Sequence, residues 1–302
     1  MLRDFVEIIC RKSPLQKSRL EAFLEARDGV FWERADRFAE QLARYLASTG
    51  RDVEDGADAY LRLCANMLKE QTKFMRTGVY SCVSQSQAYD AVYSSESEMR
   101  AYMIGLALSQ FLWESHYGIY SFFLDTMQAR AGRAPRYLEI GPGHGLWLAA
   151  ALNALGARQY DVIDISAVSL DLCRGILPFL TPHHREPAMR LGNAESLTLD
   201  GGYDFVTMGE VIEHLDDPRP LLRKIGRLLA PGGVAFLTTC ANCPAIDHVY
   251  LFHSVQEIQD LLRECGLHIG SEGVFPAEKL PWPELLRLKV TINYAALVRA
   301  ER

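Results

Sequence analysis

Three glycines at alternate positions, Gly141, Gly143 and Gly145, follow one apolar run and precede another. Glycine accepts positive φ and carries no Cβ, so such a run lets the backbone turn sharply and approach a ligand closely. Tyr137, Leu138 and Ile140 read as the end of a strand, and Leu146 to Leu155 as a buried helix. The first N–H groups of that helix have no partner within it and are free to face whatever the turn cradles. Strand, glycine turn and helix start, in that order, predict a nucleotide-cofactor site at the first strand of a doubly wound sheet. A dinucleotide fingerprint is G-x-G-x-x-G, with room for a pyrophosphate. Here the spacing is G-x-G-x-G, with Glu139 two residues before the first glycine. Asp164 ends the next apolar strand, Tyr160 to Ile165, 19 residues after Gly145. Its carboxylate either accepts from two ribose hydroxyls or, with Ser166, caps the following helix.

Taken in order, these motifs resemble class I S-adenosylmethionine (SAM) dependent methyltransferases. Leu138 to Gly145 is similar to the family's motif I, which implies that Glu139, Gly141, Gly143, His144 and Gly145 hold the amino-acid part of SAM. The resemblance implies a ribose contact at Asp164 and Ile165. Leu191-Gly192-Asn193-Ala194-Glu195 resembles the third-strand loop, commonly Gly-Asp-Ala-Glu, which touches the adenine; Asn193 stands where Asp is usual, and an amide oxygen can still accept. The alternative is an ordinary polar loop. Glu210 to Pro218 resembles the Glu-Val-x-Glu-His-x-x-Asp-Pro run after strand four of many small-molecule methyltransferases, which puts Glu210 beside the cofactor. Pro218 starts a helix that ends at Leu229-Ala230-Pro231-Gly232-Gly233, and Val234 to Thr239 follows as a fifth strand. Leu267 to Val274 and Thr291 to Val298 are apolar and β-prone, the closing antiparallel pair of the family. The match covers about residues 134 to 302. The implied fold is α/β, a Rossmann-like sheet of seven strands with the last pair antiparallel at one edge.

Methyl transfer is an in-line displacement at a good leaving group, so the protein must align the reacting atoms and exclude water. A base is needed only for an acceptor that is protonated at working pH. The loop leaving the fifth strand, Cys243 to Phe252, carries the first candidates. His248 is expected as a catalytic or acceptor-binding residue, or else as a loop histidine satisfied by backbone. Tyr250 is expected to orient the acceptor, and His214 is the second candidate base. Metal is not expected. Glu210, Asp216, Asp217 and Asp247 are numerous enough but show no converging octahedral spacing. Cys240-Ala241-Asn242-Cys243 is a lone C-x-x-C, without a second pair or a histidine pair at zinc spacing.

Residues 1–130 must position this machinery, and they read as helical. Glu21 to Ala47 shows apolar residues near a 3.6 period, broken at Gly29; Tyr60 to Phe74 is a further helix; Ser81 to Gln87 is a polar connection. Glu96 to Met127 is a long helical region, with a break expected near Gly105 or Gly118. The expected division is a helical cap and possible dimerisation region over 1–130, and a SAM-binding domain over 131–302. Tyr89 to Tyr120 is rich in aromatics and amides. Tyr102, Trp113, His116 and Tyr117 are candidate substrate-pocket residues, with plain helix-packing core as the alternative.

The chain has 302 residues, 49% hydrophobic and 23% charged, an ordinary globular composition. A net charge of −6 argues against a nucleic-acid partner, which needs a basic face. No signal peptide or membrane-length apolar run is evident, and seven scattered cysteines read as reduced cytoplasmic thiols. The expectation is a methyltransferase of a small molecule in specialised metabolism, without a membrane partner and with a homodimer possible. The alternatives are a SAM-consuming cyclase or aminocarboxypropyl-transferring enzyme that releases methylthioadenosine, and, more remotely, a non-catalytic SAM-binding partner subunit.

Overall fold

A computed structural model describes residues 1–89, 95–133, 135–181 and 185–301. Its sheet has seven strands: β1 (Arg136–Ile140), β2 (Gln159–Asp164), β3 (Ala188–Leu191), β4 (Tyr203–Gly209), β5 (Leu229–Ala241), β6 (Leu267–Pro276) and β7 (Ile292–Ala300). The order is β3-β2-β1-β4-β5-β7-β6. The first five strands run parallel, and β7 lies antiparallel between β5 and β6. The chain winds outward from β1 to β3, then returns to lay β4 on the other side of β1. The crevice where that order reverses, at the carboxyl ends of β1 and β4, is where open α/β sheets bind ligands.

Of the helices that follow β1, α8 (Leu146–Leu155) and α9 (Ala167–Leu180) lie on one face of the sheet, and α10 (Arg219–Leu228) and α11 (Val255–Glu264) on the other. A short α12 (Trp282–Arg287) precedes β7. The helix expected at Leu146 to Leu155 has those bounds. The run Leu229-Ala-Pro-Gly-Gly, expected to close α10, instead opens β5. Leu229 pairs with Tyr203 across a bulge, and a Cβ at Gly233 would meet the Tyr203 carbonyl at 2.6 Å, so only glycine lets β5 pass this close.

The amino-terminal region holds α1 (Leu2–Lys12), α2 (Pro14–Glu25), α3 (Gly29–Ser48), α4 (Val53–Thr77), α5 (Gln85–Ala88), α6 (Glu96–Leu112) and α7 (Glu114–Ala129). Asp28 caps α3 by accepting the Phe31 N–H at 2.8 Å, and Asp52 and Asp55 form a reciprocal capping box on α4. The break in the long helical region falls at Trp113, not at Gly105 or Gly118. Both glycines sit inside helices because a neighbour needs their space. A Cβ at Gly105 would meet the Ala59 carbonyl oxygen at 2.9 Å, and one at Gly118 would meet the Phe275 ring at 2.6 Å. These helices share one core with the α8–α9 face of the sheet: Phe123 of α7 stacks on Trp147 of α8 with centroids 5.0 Å apart and meets Phe236 of β5 edge-on. No helix among the described residues is long and apolar enough to cross a membrane.

Candidate active site

A cavity of about 230 Å³ opens at the reversal of strand order. Its floor is the glycine turn after β1. Gly141, Gly143 and Gly145 have φ of 70°, 49° and 74°, the left-handed region that disfavours any side chain. A Cβ at Gly141 would meet Val211 at 2.8 Å and one at Gly143 would meet Met103 at 3.2 Å, so side chains there would crowd the space. Gly145 itself lies behind the turn, packed on Cys173, and heads α8. His144 turns its Nδ1 back to accept the Leu146 N–H at 3.2 Å. Burial holds its imidazole down, to about 4, so it is neutral at working pH.

Four acidic side chains line the cavity: Asp247 on the acceptor side, and Glu139, Asp164 and Glu210. Glu139 is buried, and the Tyr137 hydroxyl donates to its Oε2 at 2.5 Å. Burial pushes its carboxyl up to about 8, against the partial help of that hydrogen bond. Asp164 stands at the tip of β2 with one oxygen accepting the Ser166 N–H at 2.8 Å and the other the Ser169 hydroxyl at 2.7 Å. It therefore braces the start of α9 while still facing the cavity, and burial raises its pKa. Glu210 sits just past β4 at a φ of 51°, with Thr238 donating to it at 2.7 Å. Burial and the neighbouring Glu213 raise it well above the usual carboxylate range.

Ile165, Asn193 and Ala194 line the same cavity. The Asn193 side-chain oxygen accepts the Glu195 N–H at 2.8 Å, so one lone pair of the expected adenine acceptor is already used within the loop. Glu195 is exposed and outside the lining.

The opposite wall comes from α6 and α7. Tyr102, Trp113 and His116 all line it. His116 Nδ1 lies 2.8 Å from the Ser109 hydroxyl, and burial lowers its pKa to about 4. Tyr117 does not reach the cavity; its ring packs edge-on against Phe31 at 4.8 Å inside the helical core. Of the aromatic-rich run, Tyr93 lies outside the described residues.

The acceptor-side residues come from the turn Ile212–His214 and the loop after β5. His214 Nδ1 is 2.9 Å from the Asp247 carbonyl and 3.5 Å from its carboxylate. His248 lines the cavity but is enclosed, with Nδ1 2.7 Å from the Cys243 carbonyl. Burial alone would lower its pKa; Cys243, Glu213 and Asp247 outweigh that and push it up to about 10. A raised pKa favours the protonated ring, which suits holding or orienting an acceptor better than taking its proton. Tyr250 is not brought to the cavity. It lies in a shallow surface groove with Arg219 and Phe252, its N–H bound to the Glu213 carbonyl at 2.9 Å. Gln110, one of the amides of the aromatic-rich run, lines the cavity too, whereas sequence reasoning missed Met103, Trp147, Asp247 and Asn293, because only tertiary packing assembles them.

The residues present fit SAM. A glycine turn that admits backbone contact, a carboxylate at the tip of β2 and an acid-lined cavity suit a ligand with a ribose and cationic groups. A methyltransferase domain family matches residues 113–272 of this chain. The ubiquinone biosynthesis O-methyltransferase of Xanthomonas oryzae pv. oryzae is 31% identical over 166 residues, covering 53% of this chain and 65% of that relative, less than two thirds of its length. The fold is similar to N-methyltransferase NodS from Bradyrhizobium japonicum, solved with S-adenosylhomocysteine, at a TM-score of 0.54 and 16% identity over 70% of this chain and 100% of that one. It is also similar to phosphoethanolamine N-methyltransferase 2 of Haemonchus contortus, at a TM-score of 0.54 and 15% identity over 73% and 61% of the two chains. Glycine turn, strand order and family match converge: the chain belongs to the class I SAM-dependent methyltransferases, with SAM as its cofactor.

Proposed function

We propose that this chain methylates a small molecule, with a hydroxyl oxygen as the acceptor atom. The observation that carries the reading is the single continuous cavity in which the glycine turn, Asp164 and the α6–α7 wall face one another. Such a cavity suits a cofactor and a compact acceptor side by side, whereas a polymer needs an open groove. The name of the Xanthomonas relative supports oxygen as the acceptor.

SAM, when bound, supplies an electrophilic methyl on a sulfonium leaving group. The chain's residues do the rest. Gly141 to His144 and Asp164 bind and orient the cofactor. Tyr102, Trp113 and His116 close the far side and keep water out. His214 donates from Nδ1 to the Asp247 carbonyl, which leaves Nε2 able to accept the acceptor's hydroxyl hydrogen. Asp247, packed at the same wall, fixes that ring. The metabolic setting we propose is specialised metabolism, on the ground of the added α1–α7 region.

The test is to incubate purified protein with SAM alone, then with a metabolite extract, and to identify the adenosine product by mass spectrometry. S-adenosylhomocysteine that appears only with extract is the expected result, and the acceptor is then traced by its added mass. Methylthioadenosine from SAM alone, above the spontaneous background, would overturn methyl transfer in favour of a cyclase.

A further inference from the structure

Behind the acceptor wall lies a second cluster that the methyl-transfer reading does not use. Cys240 is the penultimate residue of β5, Cys243 follows in the loop, and that loop then returns to bring His248 alongside both. The ligand atoms of these three side chains lie within 4.8 Å of one another. Glu213, from the turn after β4, lies within the same distance of Cys240 and of His248. All four side chains are buried.

We propose that Cys240, Cys243, His248 and Glu213 form a four-ligand site for a thiolate-preferring divalent cation such as zinc. The second observation behind it is an orphan: Glu213 Oε1 is fully buried and has no hydrogen-bond partner. A buried carboxylate oxygen without a partner costs on the order of several kcal/mol, and a cation bound to it removes that cost. Its other oxygen already accepts the Thr239 hydroxyl at 2.8 Å, which is how an outer partner fixes a ligating carboxylate. His248 is fixed in the same way, with Nδ1 2.7 Å from the Cys243 carbonyl. That bond places the proton on Nδ1 and leaves Nε2 as the ligating nitrogen. In tetrahedral zinc sites, with metal–sulfur bonds of about 2.3 Å and metal–nitrogen bonds of about 2.0 Å, neighbouring ligand atoms lie roughly 3.3–3.8 Å apart. The pairs that lie within 4.8 Å of one another would draw in by about 1 Å around an ion, and Glu213 would have to move toward Cys243 as well.

Donor chemistry selects the metal. Two sulfurs and an imidazole suit zinc and exclude magnesium or calcium, which demand oxygen cages. Placement selects the role. Cys240 and Glu213 stand outside the cavity lining, while Cys243 and His248 form part of its wall. Four protein ligands leave no open position, so the ion is structural. It pins the loop from Cys243 to Phe252 to the Glu213 turn, where the Val249 and Tyr250 N–H groups already bond the Glu213 carbonyl at 2.8 and 2.9 Å. This inference stands apart from the identity of the acceptor and from methyl transfer itself.

The test titrates cobalt(II) into the full chain after chelation and under reducing conditions. The expected result is a thiolate-to-cobalt charge-transfer band that saturates at one equivalent and bleaches with one equivalent of zinc. Cys240→Ser and Cys243→Ser should each lose most of the band, and Cys64→Ser, in α4, should keep it. Circular dichroism on each variant separates lost binding from lost fold, and the wild-type titration decides the matter even where a variant does not fold. Absence of a saturable band in the wild type would overturn the proposal. So would a band unchanged in both folded serine variants, or a Cys240–Cys243 disulfide in freshly isolated protein, read as a mass lower by two hydrogens.

Discussion

Asp164 has both carboxylate oxygens committed inside the protein and still faces the cavity. Asp164→Asn preserves the shape and removes the charge. Hydrogen bonds to a charged group contribute about 1.5–3 kcal/mol, so SAM affinity should fall about 10- to 100-fold by calorimetry. Unchanged affinity would remove Asp164 from the cofactor site. Glu139 gives a prediction in pH. Its folded pKa, about 8, lies above the ordinary 4.5 because of burial. Below about pH 4.5 the folded and unfolded chains both hold the proton. Between that point and pH 8 only the folded chain holds it, so stability falls as pH rises through this window. Glu139→Gln should flatten this part of the Tm-against-pH curve; parallel curves for the two proteins would refute the buried neutral acid. Both residues were legible in the sequence because a strand-turn-helix unit fixes them locally. Tyr250, Tyr117 and the state of His248 were not, since the path of a loop and the packing of distant helices decide where those side chains end.

At the scale of elements, glycine carries two meanings that one sequence cannot separate. Gly105 and Gly118 read as helix breakers, yet they are contact points between α4 and α6 and between α7 and β6. Alanine in place of glycine inside a helix ordinarily stabilises by about 0.5–1 kcal/mol. At Gly105 the new methyl would meet the backbone carbonyl of Ala59 at 2.9 Å and Leu63 Cβ at 3.0 Å, and neither can swing aside. Overpacking of this kind costs about 1–3 kcal/mol. Gly105→Ala should therefore lower the unfolding free energy in denaturant titration, whereas Gly29→Ala, with nothing within 4 Å, should be neutral or mildly stabilising. Equal effects at the two positions would show that α4 and α6 do not touch there. The strand and helix pattern from β1 to β4 was readable because apolar periodicity and the glycine turn agree. The true break at Trp113 was not, since its cause is tertiary: the Trp113 indole donates to the Tyr60 hydroxyl at 2.9 Å across the helix interface.

For the whole molecule, the question is whether the helical region is a separable lid. Sequence composition suggests two parts, 1–130 and 131–302, because helices end where the strand pattern begins. The packing joins them. Phe123 of α7 packs on both Trp147 of α8 and Phe236 of β5, α3 and α6 pack on α9, and one apolar cluster runs from Leu2 through Phe236. A fragment of residues 131–302 would expose that face of α8, α9 and β5 to water. Burial contributes about 25 cal/mol per Å² of apolar surface, so baring roughly 200–600 Å² would already offset the roughly 5–15 kcal/mol by which a typical domain is stable. The fragment should accordingly be insoluble or bind a hydrophobic dye, with no cooperative melt. The intact chain should unfold in one calorimetric transition whose van't Hoff and calorimetric enthalpies agree. Two separated transitions, or a fragment that melts cooperatively and still binds SAM, would mean that the sheet holds its own core and that α1–α7 only rest upon it. A single transition would also make α6 and α7 a fixed wall of the cavity: Tyr102, Trp113 and His116 then owe their positions to the same core that holds the glycine turn.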